Sequence, residues 1–205
     1  MKKILRVASA AALLALTACG TETEFVANEP SGSEVEAPGS YTEGSEETTD
    51  ATVGEMHAEM ENGGVTLTVD EVVESPSTLL EPDGVKKGAY PPEEEKPKNK
   101  KAKFVKVKTT VRNDSKSPWD LTCDYAVGTV LLDKDGRQYD EIESLYRVPE
   151  NPDCNDSLGP GFDTTMSWIY EVPENSEITR FGFFDPSVNY EEPTLINLKV
   201  STEAN

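Results

Sequence analysis

The sequence predicts an all-β domain, an antiparallel β-sandwich, on three observations. Apolar residues recur at a spacing of two: Val65, Leu67 and Val69; then Val105, Val107 and Val111 with Thr109 in step; then Met166, Trp168, Tyr170 and Val172. That period sends successive side chains to opposite faces of a strand. Turn chemistry punctuates these runs, at Asn113-Asp114-Ser115, at Asp133-Lys134-Asp135-Gly136 and at Gly159-Pro160-Gly161. No window of eleven or more residues in this part of the chain keeps a helical period, so strands must bury their apolar faces against strands.

Taken in order, the chain opens with Lys2, Lys3 and Arg6 ahead of an apolar stretch, Val7 to Leu16, too short for a comfortable membrane span. It ends Leu16-Thr17-Ala18-Cys19, which resembles the lipobox of bacterial lipoprotein signal peptides. The resemblance implies that residues 1–18 are removed and that Cys19 becomes the first residue, carrying a diacylglyceryl group on its thiol and an acyl group on its amine. Paired acyl chains, at about 0.8 kcal/mol per buried methylene, anchor stably where one chain is marginal. The address implied is the extracytoplasmic side of the cell membrane, with the membrane itself as first partner.

Residues 19–61 read as a disordered acidic tether. Gly20 to Glu61 holds twelve Asp or Glu and no Lys or Arg, and it has few branched or aromatic side chains to offset the entropy of ordering. Its Thr52 to Met60 stretch suggests at most a poorly capped helical turn.

The sandwich is expected over residues 62–201, with a tail at 202–205. After the Val65 strand, Ser75 to Lys101 carries five prolines, two glycines and both charge signs, and reads as an exposed Pro/Lys-rich loop or insertion and not as another strand. Ala102 to Arg112 then alternates apolar with Lys and Arg, one face core and one face water. Val127 to Leu132 and Arg137 to Ile142 flank the Asp133–Gly136 hairpin, where Gly136 supplies a positive φ. Phe181 and Phe183 share a further strand face, and Ile196, Leu198 and Val200 close a set of about seven or eight strands. Trp119, Trp168 and the Phe181–Phe184 cluster are expected in the core.

Three segments together resemble the telokin-like, immunoglobulin-like domain of unknown function found in many lipoproteins, chiefly of Gram-positive bacteria: Phe104 to Trp119, Val130 to Glu141 and Leu158 to Phe184. The resemblance covers roughly Gly63 to Val200. It implies a compact immunoglobulin-like sandwich in an exported, anchored protein, with a related secreted antigen fold among its neighbours, and it brings no catalytic residues.

Cys123 and Cys154 are the thiols left once Cys19 carries lipid, and an exported chain meets a compartment that permits disulfides, so they are expected to pair. Neither sits in a CxxC motif.

The chemistry of the chain narrows its function. A formal charge of -20, falling to -23 when the three basic and no acidic residues of the signal are removed, repels nucleic acid and anionic lipid. The single histidine, His57, falls in the tether, so no Ser-His-acid relay is expected there. No enzyme activity, cofactor or metal site is therefore expected. Asp133, Asp135, Asp140 and Glu141, or Asp153 and Asp156, offer the hard oxygens that calcium takes, but the spacing around Gly136 and Arg137 departs from an EF-hand loop. Lys96 to Lys108 is the one concentration of positive charge, suited to anionic wall polymer or simply to solubility. The function expected is a non-catalytic binding or assembly module whose partner is an envelope protein or the cell wall. A passive envelope component with no ligand and a calcium-dependent module are the alternatives.

Overall fold

Alternation in one long strand organises the domain. The computed structural model describes residues 52–188 and 192–202, and within them the strands run β1 Val53–Glu55, β2 Met60–Asn62, β3 Val65–Ser75, β4 Thr78–Leu80, β5 Glu93–Glu95 and β6 Ala102–Asn113. They continue as β7 Gly128–Asp133, β8 Gln138–Tyr139, β9 Asp163–Pro173, β10 Ile178–Phe184, β11 Thr194–Asn197 and β12 Ser201–Thr202. A single turn of 3-10 helix spans Leu145–Arg147.

β6 lies at the centre of one sheet, antiparallel to β3 on one side and to β9 on the other, with Val105 opposite Tyr170 and Val107 opposite Trp168. Val105, Val107, Thr109 and Val111 are wholly buried while Lys106, Lys108, Thr110 and Arg112 are only half-buried. The second sheet orders its strands β1-β11-β10-β7-β8. Their inward faces, led by Phe181, Phe183, Leu131 and Ile196, meet Trp168, Tyr170 and Met166 of β9 in one core. The result is the expected β-sandwich. Most pairs are antiparallel, but the edge pairs β1 with β11 and β12 with β3 are parallel.

Two of the buried polar groups in this core satisfy each other. Thr109 accepts the Trp168 indole N–H at 3.0 Å and donates to the Met166 carbonyl at 3.1 Å, so neither group is left desolvated and unbonded.

In β3 the register shifts between Val69 and Glu71. The extra residue, Asp70, resets the alternation, so that Val65, Leu67 and Val69 before it and Val72 after it all face the core. β9 forms the open end of its sheet, and its backbone is covered by a crossing segment. Asn151 accepts the Ser167 N–H at 2.7 Å and donates to the Ser167 carbonyl at 2.8 Å, as a neighbouring strand would, and Ile142 N–H bonds the Ile169 carbonyl at 2.8 Å.

Three expectations need correction. The tether was expected to run to Glu61, yet β1 and β2 occupy its last ten residues: β1 completes the edge of β11 and β2 that of β3. Backbone pairing orders them without a large apolar payload. His57 is accordingly held in the turn between β1 and β2, at φ 66°, with its N–H on the Val69 carbonyl. The Pro/Lys-rich segment at 75–101, expected to hold no strand, holds two, since β4 pairs with β5 in a small separate sheet whose Leu80 is buried. The chain after Ile196 does not continue as one strand, since Leu198 and Val200 lie between β11 and β12, and Thr202, placed in the tail, pairs with Glu74. Cys19, the signal segment and the tether up to residue 51 lie outside the described residues.

Candidate functional site

The insertion at 76–101 returns over the outward face of the β3–β6–β9 sheet, and this decides where the clefts of the molecule are. Outward-facing Phe104 forms part of the wall of two of them.

The first is a groove of about 390 Å³ between Leu79 and Pro92 of the insertion, Val73, Phe104 and Ile169 of the sheet, and Pro149. Leu79 is 54% exposed above it. Lys106 and Glu150 also line it and form an ion pair at 3.7 Å.

The second is a cavity of about 460 Å³. Leu80, Phe104 and Ile142 supply apolar wall, and Asp140, Glu141, Glu171, Lys96, Lys98 and Arg147 supply charge. Two of these charges, Glu171 and Arg147, are already engaged in holding the walls. Glu171 accepts the backbone N–H groups of Lys98 at 3.1 Å and Asn99 at 2.9 Å, which pins the end of the insertion to β9. Arg147 donates its Nε–H to the Glu81 carbonyl at 2.7 Å and lies 3.6 Å from Glu95.

Glu141 differs from them. Its Oε2 accepts the Thr129 hydroxyl at 3.0 Å, and Thr129 Oγ1 accepts the Tyr170 hydroxyl at 2.7 Å. Two neutral hydroxyls thus lead from the core to one carboxylate on the cavity wall. Among the described residues Glu141 forms no ion pair. Burial pushes its carboxyl above the usual range, and burial together with the Glu141 charge raises the Tyr170 phenol well above its own.

The structure distributes the other expected residues as follows. Asp133 is wholly buried at the β7–β8 hairpin, where Gly136 has φ 78°. Its carboxylate accepts the N–H groups of Asp135 and Arg137, the Arg137 Nε–H and the Tyr139 hydroxyl, all between 2.8 and 3.0 Å. Enclosure opposes its charge, but the Tyr139 hydroxyl and the Arg137 backbone hold its pKa below the ordinary value. Four donors fill its lone-pair positions and leave none facing a metal ion. Asp153 and Asp156 sit in a turn closed by the Asp153 N–H on Asp156 at 3.1 Å, with Lys87 at 3.5 Å from Asp153. The Lys96–Lys108 run is divided: Lys96 and Lys98 line the cavity, Lys103 pairs with Glu74 at 2.8 Å and Lys106 with Glu150.

Cys123 and Cys154 form a disulfide, with Cα atoms 5.5 Å apart. Asp120 clamps the same two loops, accepting N–H groups from Thr122 and Cys123 on Oδ1 and from Asn155 on Oδ2. Burial works against that charge, and the backbone donors overcome it, lowering its pKa. The Asp120 carboxylate and both sulfurs lie within 4.8 Å of one another, but sulfurs bonded to each other offer no thiolate.

Of these features, the sequence pointed to Asp140, Glu141, Lys96 and Lys98 as charges without bringing them together. It gave no sign of Thr129, of the Tyr170 hydroxyl or of Arg147. Their convergence depends on where the insertion docks, and no local pattern encodes that.

The chain matches no protein-family model and no curated protein. Among solved structures it is similar to an uncharacterized β-sandwich protein from Clostridium difficile 630, at 14% identity and TM-score 0.49, over 77% of this chain and 100% of that one. A conserved hypothetical protein from Bacillus anthracis is similar at 15% identity and TM-score 0.45, over 69% of this chain and 94% of that one. A secreted protein from Mycobacterium tuberculosis is similar at 13% identity and TM-score 0.44, over 74% and 99% respectively.

Proposed function

We propose that this chain is a membrane-anchored extracytoplasmic lipoprotein, held by acyl groups on Cys19, that presents a telokin-like, immunoglobulin-like domain for binding without catalysis. The observation that carries the binding reading is the pair of clefts under the insertion. An apolar groove with an exposed leucine beside a charged cavity is a recognition surface, where a uniformly charged face would favour a passive envelope component. The non-catalytic part of this reading rests on the family resemblance, which brings no catalytic residues. The lipobox residues and the disulfide support an exported location.

The test is crosslinking and pull-down of the lipidated protein from intact cells, beside two variants. One lacks residues 52–202 but keeps the lipid and the acidic segment before them; the other replaces the stretch 76–101 by a short Gly-Ser connection. A partner lost with both variants establishes binding through the insertion. Recovery of nothing beyond what the acidic segment alone captures makes the domain a passive component. A Cys19→Ala variant that stays with the membrane fraction would overturn the lipid anchor.

A further inference from the structure

We propose that the Glu141 cavity is a binding site for a primary alkylammonium group, either on a small free amine or on a lysine side chain of a polypeptide. This rests on reading the domain as a binding module and names the chemistry that it binds.

A carboxylate withdrawn from water without a counter-charge is unfavourable, and hydroxyl donors offset only part of the loss. Glu141 is in that position: it is held by its own backbone N–H and by Thr129, which is in turn held by Tyr170. Among the described residues no cation pairs with it. Arg147 is committed to the Glu81 carbonyl and Glu95, while Lys96 and Lys98 are exposed at the rim. The arrangement therefore keeps, in the wall of a cavity of about 460 Å³, a carboxylate held by neutral donors and, among the described residues, without an ion-pair partner.

The remaining wall selects the kind of cation. Leu80, Phe104 and Ile142 give the site an apolar side, which suits methylenes carried behind a charged head. A hard divalent ion fits poorly, because it needs six or more converging oxygens. Among the described residues no three carboxylates of this cavity come together at metal-ligand spacing. An anion would face Glu141 itself. An ammonium on an aliphatic stem meets both halves of the wall.

The experiment uses the full-length protein purified in detergent, titrated with hexylammonium and, separately, with hexan-1-ol, and followed by amide NMR shifts at Ile142 and Tyr170. Hexylammonium is expected to saturate these shifts and to bind at least about tenfold tighter than the alcohol, a difference of about 1.4 kcal/mol. Glu141→Gln, which keeps an acceptor for Thr129, is expected to lose at least about tenfold in affinity for hexylammonium. Thr129→Val retains the charge but frees its direction, and should lose less. Glu141→Gln binding hexylammonium as well as the parent does, with an otherwise unchanged spectrum, overturns the proposal. So does a folded parent protein that shows no saturable shift.

A diamine such as cadaverine and the peptide Ala-Lys-Ala separate the sources. Preference for the diamine assigns the site to free amines, and preference for the peptide assigns it to lysine side chains. Capture of a partner through the insertion in cells, together with failure of every amine here, would remove this inference and leave the binding module standing.

Discussion

Glu141 stabilises the folded chain less than its protonated form would. Burial raises its carboxyl above the ordinary value of 4.5, so between the two values the folded state binds more protons than the unfolded state does. By linkage, stability falls as pH rises through that window. Glu141→Gln removes the titration while preserving an acceptor for the Thr129 hydroxyl. Thermal unfolding followed by circular dichroism should show the variant melting above the parent at about pH 8, with the advantage gone by about pH 4. A melting difference equal at both pH values would mean that the carboxyl is not desolvated. The opposite sign applies to Asp133 and Asp120, whose lowered values make their contributions fully present above the ordinary range and lost as pH falls. Residue identity alone does not separate these cases. Asp133 was legible as a turn residue because Gly136 follows at hairpin spacing, but whether an acid becomes a turn clamp or an unpaired wall group depends on neighbours distant in sequence. Asn151 makes the same point, since nothing local marks it as the side chain that completes the edge of β9.

Among the elements, strands long enough to alternate were legible, and short ones were not. β6 alternates over most of its twelve residues and β9 carries Met166, Trp168, Tyr170 and Val172 on one face, which fixes both period and core face. In β3 the period holds to Val69 and then slips at the Asp70 bulge, so the strand's second half gives no simple pattern. β4 and β5 have three residues each. Glu93–Glu95 has no intrinsic reason to be a strand, and it pairs only because Leu80 is buried in the domain and β4 is thereby fixed beside it. The disulfide acts at the same scale, joining the loop after Trp119 to the loop after Asn151 across a separation of 31 residues. Loop-closure entropy gives it about 3.5 to 4 kcal/mol. Cys123→Ser with Cys154→Ser should lower unfolding stability in urea by roughly that amount or somewhat less, since Asp120 still bonds both loops. The β9 edge should stay protected from amide exchange in the double variant, because Asn151 and Ile142 cover it from outside the bridge. Loss of that protection would show that the disulfide, and not the side-chain pairing, seats the crossing segment.

For the whole molecule, the fold class followed from periodicity, while the boundary of the domain did not. Composition places residues 52–61 with the acidic segment before them, because they carry Glu55, Glu59 and Glu61 without a Lys or Arg. The structure places them with the sandwich, because both sheets have edges to fill. β1 pairs with the open side of β11, and β2 pairs with β3 ahead of the Gly63 turn. Asn62 joins the two by donating to the Glu192 carbonyl at 2.8 Å and to Thr194 at 3.3 Å. If composition were the guide, a chain starting at Gly63 would be as stable as one starting at Thr52. Edge physics says otherwise. Without β1 and β2, the N–H and C=O groups of β11 and of the first half of β3 face solvent as a template for another chain, and the buried Gly54 and half-buried Met60 contacts disappear. The shorter chain should melt at least about 5 °C lower and should associate with rising concentration in sedimentation velocity, while the longer one remains at a constant mass. Equal melting and equal mass would return the domain boundary to Asn62 and make the two strands an accessory of the acidic segment. Lower melting with association would make them the part of the domain that keeps an anchored protein, crowded at a membrane surface, from pairing edge to edge with its neighbours.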